Sequence, residues 1–197
     1  MISAIVLAAG KSTRIGKENK MLMPFGASTI LGTVVSALEQ SLVDEVIIVT
    51  DDITISNNVS SSGKTKFVVN KDADKGMTTS IQCGVKASST KSNGFMICLG
   101  DMPMLTKEDY NLLVNNYLDE SNEVILIPKQ PDRRGNPVIF SHHFLDQIMK
   151  LESMEGCKPI LLSFPSYVKE VQVLNDHFFL DIDTKDEYRK ALKDHSS

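Results

Sequence analysis

The sequence predicts an α/β protein, a three-layer α/β/α sandwich around a mostly parallel sheet. Three observations carry that prediction. Continuously apolar runs rich in Val and Ile recur at residues 5–7, 45–50 and 95–100, the pattern of strands covered on both faces. Segments whose apolar residues fall at helical spacing separate them. Strand and helix therefore alternate along the chain, which favours right-handed crossover units over segregated layers.

Taken in order, Ile5, Val6 and Leu7 form the first strand. Ala8, Ala9 and Gly10 then strip away side-chain bulk where it ends, so that backbone can approach a ligand closely. Lys11, Ser12, Thr13, Arg14, Gly16, Lys17 and Lys20 follow, a density of donors and positive charge suited to a polyphosphate. GKST at residues 10–13 copies the end of a Walker A loop, but that motif needs a glycine where Ile5 stands. Gly10 and Gly16 likewise have the wrong spacing for a GxGxxG dinucleotide turn. The alternative is an ordinary strand-to-loop transition with solvated lysines.

Ser28 or Thr29 caps a helix carrying Ile30, Leu31, Val34, Val35, Leu38 and Leu42 at helical spacing, and this helix returns to the strand at 45–50. Residues 51–65 are polar and Ser/Asn-rich and predict a loop or weak helix before a strand at 66–70. A charged loop ends at Gly76, and a helix from Met77 to about Lys86 presents the free N–H groups of its first turn. Asp101 falls at the carboxyl end of the strand at 95–100, where open α/β sheets bind ligands, and is the leading metal-ligand candidate. Thr106 and Asp109 make a capping box, with Asp in place of the usual Glu or Gln, for a helix through Leu118. A further strand lies at 124–128. Pro137 cannot donate a ladder hydrogen bond and points to an edge-compatible strand beginning there. Then come a helix from about His143 to Lys150, a short helix and loop over 153–167, and late strands at 170–174 and 178–183. Thr184 and Glu187 box the start of a last helix.

The length of 197 residues fits a single domain over 1–197. A net charge of -4 argues against a nucleic acid partner, which calls for an excess of Lys and Arg. Cys83, Cys98 and Cys157 are odd in number and widely spaced, so neither a disulfide framework nor a zinc site is indicated, and a reducing, cytoplasmic setting is expected. Neither a basic leader with a long apolar core nor a run near the ~18 apolar residues of a membrane span is present, so no membrane partner is expected.

LAAGKSTRIG followed by Lys20 resembles the signature of nucleotidyltransferases that load CTP or GTP onto a phosphate acceptor, in particular the molybdenum cofactor cytidylyltransferase group of the MobA-like NTP transferases. GMTTSIQCGV, CLGDMPML, RRGNPVIF and DIDTKDEY match in order, so the similarity spans nearly the whole chain. The resemblance implies the Rossmann-like sheet of the nucleotide-diphospho-sugar transferase fold, with one strand near the end of the sheet antiparallel. It also implies transfer of CMP from CTP to the terminal phosphate of molybdopterin with release of pyrophosphate, dependent on Mg2+, the usual agent for holding phosphate oxygens against one or two carboxylates.

Carried onto this sequence, the resemblance places the nucleotide at Leu7, Ala8, Ala9, Gly10, Ser12, Thr13, Arg14, Lys20, Gly76 and Ser80, with Arg14, Lys20 and Asp101 as the catalytic set. Lys20 is aligned by the MLMP that follows it, because one extra residue separates it from Gly16; Lys17 is the rival. Alternation puts Asp181 and Asp183 on one side of their segment. The resemblance favours Asp183 as the metal ligand beside Asp101, with Asp181 as the alternative or as a helix cap. Ala9 stands where guanylyltransferase relatives tend to carry glycine, and its methyl would narrow the space for a purine. Ser80 is a partner for cytosine, or is satisfied on its own helix. The acceptor is expected at Arg134, Gly135, Asn136 and Pro137, with Arg133 or Arg134 gripping its phosphate. Family members often carry His in place of Asn136. His142 and His143 read as surface or capping residues, and Met21, Met23, Met102 and Met104 as apolar walls or core filler. The alternatives are a GTP-using or sugar-phosphate nucleotidyltransferase, and a non-catalytic accessory protein that delivers the cofactor to a molybdenum hydroxylase apoenzyme.

Overall fold

Side chains alternate between two cores along the central strands of the computed structural model, which describes residues 1–9, 19–120 and 123–195. In β1 (Ile2–Leu7), Ala4 and Val6 join one apolar cluster and Ile5 and Leu7 the other. In β4 (Glu45–Thr50), Val46 and Ile48 part from Ile47 and Val49; in β6 (Gly94–Leu99), Met96 and Cys98 part from Phe95 and Ile97. Both faces need apolar cover, which is why these runs read as unbroken.

The cover comes from helices on each side. α1 (Ile30–Gln40) and α3 (Lys107–Leu118) bring Leu31, Val34, Leu38, Tyr110 and Leu113 to the first cluster. α2 (Met77–Ala87), α4 (Leu145–Met149) and α5 (Lys158–Ser163) bring Ile81, Val85, Ile148 and Ile160 to the second. The expected three-layer α/β/α sandwich is therefore what forms. With β5 (Thr65–Val69), β7 (Ile125–Gln130), β9 (Val138–Ser141) and β10 (Val168–Gln172), the strand order is β10-β7-β9-β6-β1-β4-β5, and the short β8 (Arg133–Arg134) pairs with β7. β4, β1, β6 and β5 run parallel, as do β7 and β10, whereas β9 is antiparallel to both of its neighbours.

Thr29 caps α1 by accepting from the Gly32 amide at 3.0 Å, and Thr106 with Asp109 completes the box that opens α3. The Thr184–Glu187 box opens α6 (Lys185–His195), with Glu187 Oε2 accepting from the Thr184 amide at 2.7 Å. α6 docks on the hairpin of β2 (Pro24–Phe25) and β3 (Ser28–Thr29), where Phe25, Ile30 and Ile182 form a third cluster with Tyr188, Ala191 and Leu192.

One expectation is refined here and one fails. The strand after Pro137, though compatible with an edge, is not at one: β9 is buried throughout and paired on both sides, third in the strand order from the β10 end and antiparallel as the resemblance implies. Pro137 lies just outside the strand and follows a cis peptide bond, so its missing N–H costs no ladder bond. Residues 178–183 form no strand. A 3-10 turn at His177–Phe179 is followed by irregular chain past the carboxyl end of β6, where no strand among the described residues offers a ladder. Its amide from Ile182 instead donates to the Asp101 carbonyl at 3.0 Å.

Candidate active site

The ends of β1, β4 and β6 converge on one sheet margin. Ala8 N donates to Val49 O at 2.8 Å and Gly100 N to Leu7 O at 3.0 Å, which extends the pairing past the strands and sets Asp101 at the lip. Lys20 reaches the same place from another direction. Asn19 Oδ1 accepts from the Met21 amide at 3.0 Å and caps a 3-10 turn at Lys20–Leu22, while Met21 sinks into the first core cluster. Lys20 is only 6% exposed, and its Nζ donates to Asp101 Oδ2 at 2.7 Å and to Asp183 Oδ1 at 2.9 Å. Burial disfavours the ammonium, but the carboxylates of Asp101 and then Asp183 outweigh it and hold the Lys20 pKa above its ordinary value.

Asp183 owes its position to its neighbours. Ile182 is buried in the third cluster, and the Asp183 amide donates to Glu187 Oε2 at 2.9 Å. Asp181 stays close to the same carboxylates. Partial desolvation, then Asp101, Asp183 and Glu187, raise its carboxyl above the usual range. Asp101 keeps its other oxygen, Oδ1, buried with no hydrogen-bond partner among the described residues. An unpaired buried acceptor costs about 1–3 kcal/mol, so this oxygen is suited to a cation. No group of three or more His, Cys, Asp or Glu residues able to hold a metal occurs among the described residues. Two carboxylates that leave the remaining positions to phosphate oxygens and water fit Mg2+ better than a metal needing a full protein cage.

On one side of this centre lies a cleft of about 230 Å³ lined by Leu99, Met102, Arg133, Arg134, Gly135, Asn136, Phe178, Phe179 and Asp181. The Gly135 amide donates to Pro128 O at 2.8 Å and the Asn136 amide to Phe178 O at 2.9 Å, which stitches the RRGN turn to the segment carrying the aspartates. Arg134 donates through Nε and Nη2 to Glu170 Oε1, at 3.0 and 2.7 Å, and Arg133 lies 4.1 Å over the Phe179 ring while pairing with Asp176. Pro137 is buried and is not on the cleft wall, so of the four acceptor residues expected from sequence only Arg134, Gly135 and Asn136 reach it.

On the other side, Gly76 precedes α2 at φ +110°, a backbone conformation that L side chains rarely adopt. Ser80 is buried and is not satisfied by its own helix: Asn70 Nδ2 donates to Ser80 Oγ and to Thr79 Oγ1, both at 3.0 Å. Asn70 thus ties the end of β5 to the first turns of α2, a role that sequence reading missed although the residue directly follows the strand. A second missed group is Asp109. Beyond its capping box, it accepts from Asn175 Nδ2 at 2.8 Å and pairs with His177 Nδ1 at 2.9 Å, anchoring the chain that leads to Asp181 and Asp183. Its burial is outweighed by hydrogen bonds from Thr106, His177 and Asn175, which hold its carboxyl below the ordinary value.

The structure therefore brings together Leu7, Ala8, Ala9, Lys20, Asp101 and Asp183 at one margin, with Arg134, Gly135 and Asn136 in the adjoining cleft. Gly10, Ser12, Thr13 and Arg14 lie outside the described residues, as does Lys17. His142 and His143 are exposed, Met21 and Met102 are core residues, and Met23 and Met104 pack on the third cluster.

Residues 4–168 match the model of the MobA-like NTP transferase domain. The chain belongs to that family. It is accordingly a nucleotidyltransferase. Among its relatives, a probable molybdenum cofactor guanylyltransferase of Thermococcus sibiricus is 30% identical over 171 residues, covering 84% of this chain and 83% of the relative. The purine catabolism protein PucB of Bacillus subtilis is 28% identical over 201 residues, covering 95% and 96%. The crystal structure of Rv0371c from Mycobacterium tuberculosis superposes with a TM-score of 0.84 at 24% identity, covering 98% of this chain and 97% of that one. No helix among the described residues is long and apolar enough to cross a membrane.

Proposed function

We propose that this MobA-like transferase moves CMP from CTP to the terminal phosphate of molybdopterin and releases pyrophosphate. The observation that carries the reading is the convergence of Lys20, Asp101 and Asp183 at a sheet margin, flanked by a cleft whose wall bears Arg134 and Asn136. In this transfer an acceptor phosphate oxygen bonds to the α-phosphorus as the bond to pyrophosphate breaks, and the protein's share is alignment and neutralisation of charge. Lys20 supplies positive charge where negative charge develops on the leaving pyrophosphate, and Arg14 is proposed to do the same. Asp101 and Asp183 would hold Mg2+, which when bound neutralises phosphate oxygens. The buried Oδ1 of Asp101, without a hydrogen-bond partner among the described residues, supports that assignment. Arg134 reaches the acceptor phosphate by exchanging Glu170 for it.

The choice of base rests on Ala9, whose methyl narrows the end of β1, and on Ser80, fixed by Asn70. A second reading, transfer of GMP from GTP, is favoured by the guanylyltransferase name of relatives such as that of Thermococcus sibiricus. Incubation with CTP, GTP, Mg2+ and molybdopterin, with products separated by chromatography, tests both. The cytosine dinucleotide should dominate; a dominant guanine product removes the CTP assignment, and pyrophosphate release only with sugar phosphates removes the pterin.

A further inference from the structure

Lys20 does more in this structure than a phosphate-binding lysine needs to do. Its ammonium sits between the two carboxylates assigned to the metal, 2.7 Å from Asp101 Oδ2 and 2.9 Å from Asp183 Oδ1, in a slot that leaves the residue 6% exposed. The Asn19 cap and the burial of Met21 fix its backbone, so the ammonium can relocate only by swinging its own four-carbon stem. Taking an ammonium away from its partners inside a protein leaves an uncompensated charge, which is strongly unfavourable. A metal ion arriving alone repels the ammonium and offers it no substitute partner. A triphosphate carries oxygens on which the ammonium can settle.

We propose that Lys20 is a built-in place-holder for the divalent cation: it joins Asp101 to Asp183 in the nucleotide-free protein and releases them only when a triphosphate takes over its ammonium. This inference rests on the nucleotidyl-transfer reading above and adds to it an order of assembly, in which metal and nucleotide enter together and metal alone binds poorly. Lys20 is in this respect a positioning residue. It keeps the carboxylates at the spacing of a shared cation and prevents a bare metal from occupying the site without substrate.

Mn2+ serves as the probe, with free ion counted by electron paramagnetic resonance during titration of the full chain, alone or with a CTP analogue whose α–β bridge is methylene. Wild-type protein should bind Mn2+ weakly alone and on the order of tenfold or more tightly with the analogue. Lys20→Met should bind Mn2+ alone on the order of tenfold more tightly than wild type, with much less gain from the analogue. Adding Asp101→Asn to that variant should abolish the tight site. Lys20→Gln, which keeps a polar side chain in the slot, serves as the second variant if Lys20→Met does not fold. Mn2+ binding to whichever of the two variants folds, no tighter than to wild type, overturns the place-holder. Tight Mn2+ binding to the variants with no analogue effect on wild type keeps Lys20 as the barrier to bare metal but removes its release by a triphosphate, and with it the nucleotide reading, so the two failures are distinguishable.

Discussion

Replacing Asp109 with Asn tests whether the segment bearing the aspartates is held from a distance. The carboxylate accepts at Oδ2 from the Thr106 amide (2.9 Å) and the Thr106 hydroxyl (3.0 Å), pairs there with His177 Nδ1 (2.9 Å), and accepts at Oδ1 from Asn175 Nδ2 (2.8 Å). An amide at this site has one acceptor oxygen. Turned one way, its NH2 meets the Thr106 N–H; turned the other, it meets the NH2 of Asn175. One donor loses its acceptor in each orientation, and the surviving bonds lose their charge. The expected cost is about 2–4 kcal/mol, an unsatisfied donor plus weakened hydrogen bonds. For a chain of this length that corresponds to a fall in Tm of roughly 5–12 °C.

The pH dependence follows from the same bonds. The folded state holds the Asp109 carboxyl below its ordinary value, so its stabilisation is present above the unfolded carboxyl pKa of about 3.9 and is lost as pH falls through the lower folded value. Calorimetric melting of wild type and Asp109→Asn across pH should show the gap at neutral pH closing in acid. A gap of less than about 2 °C at pH 7, or one undiminished well below about pH 3, would refute the reasoning.

Three further outcomes are expected. Asp101→Asn should lower the transfer rate on the order of 10²-fold or more, measured as pyrophosphate release, because it removes charge from the centre of the site. Gly135→Ala would set a Cβ 2.5 Å from the Phe178 carbonyl oxygen, so the turn must shift at about 1–3 kcal/mol; the KM for the acceptor should rise more than that for the nucleotide in steady-state kinetics. Asn70→Ala frees the Ser80 and Thr79 hydroxyls from β5 and should show the opposite pattern, a raised nucleotide KM with the acceptor KM little changed.

Local physics made much of this protein legible in advance. Thr29, the Thr106–Asp109 pair and the Thr184–Glu187 pair name their helix starts because capping is settled within four residues. The choice of Lys20 over Lys17 rests on the resemblance, through the MLMP that follows Lys20; the structure places Met21 in the core. Residues 178–183 read as a strand by their alternation, but such a run forms one only where a neighbour supplies a ladder, and none lies beyond the end of β6 among the described residues. Pro137 makes the strand that begins there compatible with an edge but does not require one, because a proline just before a strand leaves both of its ladders intact, and β9 is paired on both sides.

By itself the sequence determined the alternation of strand and helix, the two-faced burial of the central strands, and the chemistry concentrated at the ends of β1 and β6. These depend on periodicity and on neighbours a few residues apart. Only the tertiary structure decided that Lys20 would lie between Asp101 and Asp183, that Asn70 would hold Ser80, and that Asp109 would anchor the chain at Asn175 and His177. Each of these contacts joins residues from separate elements, and sequence periodicity carries no information about which carboxylate an ammonium will meet once the sheet has closed around it.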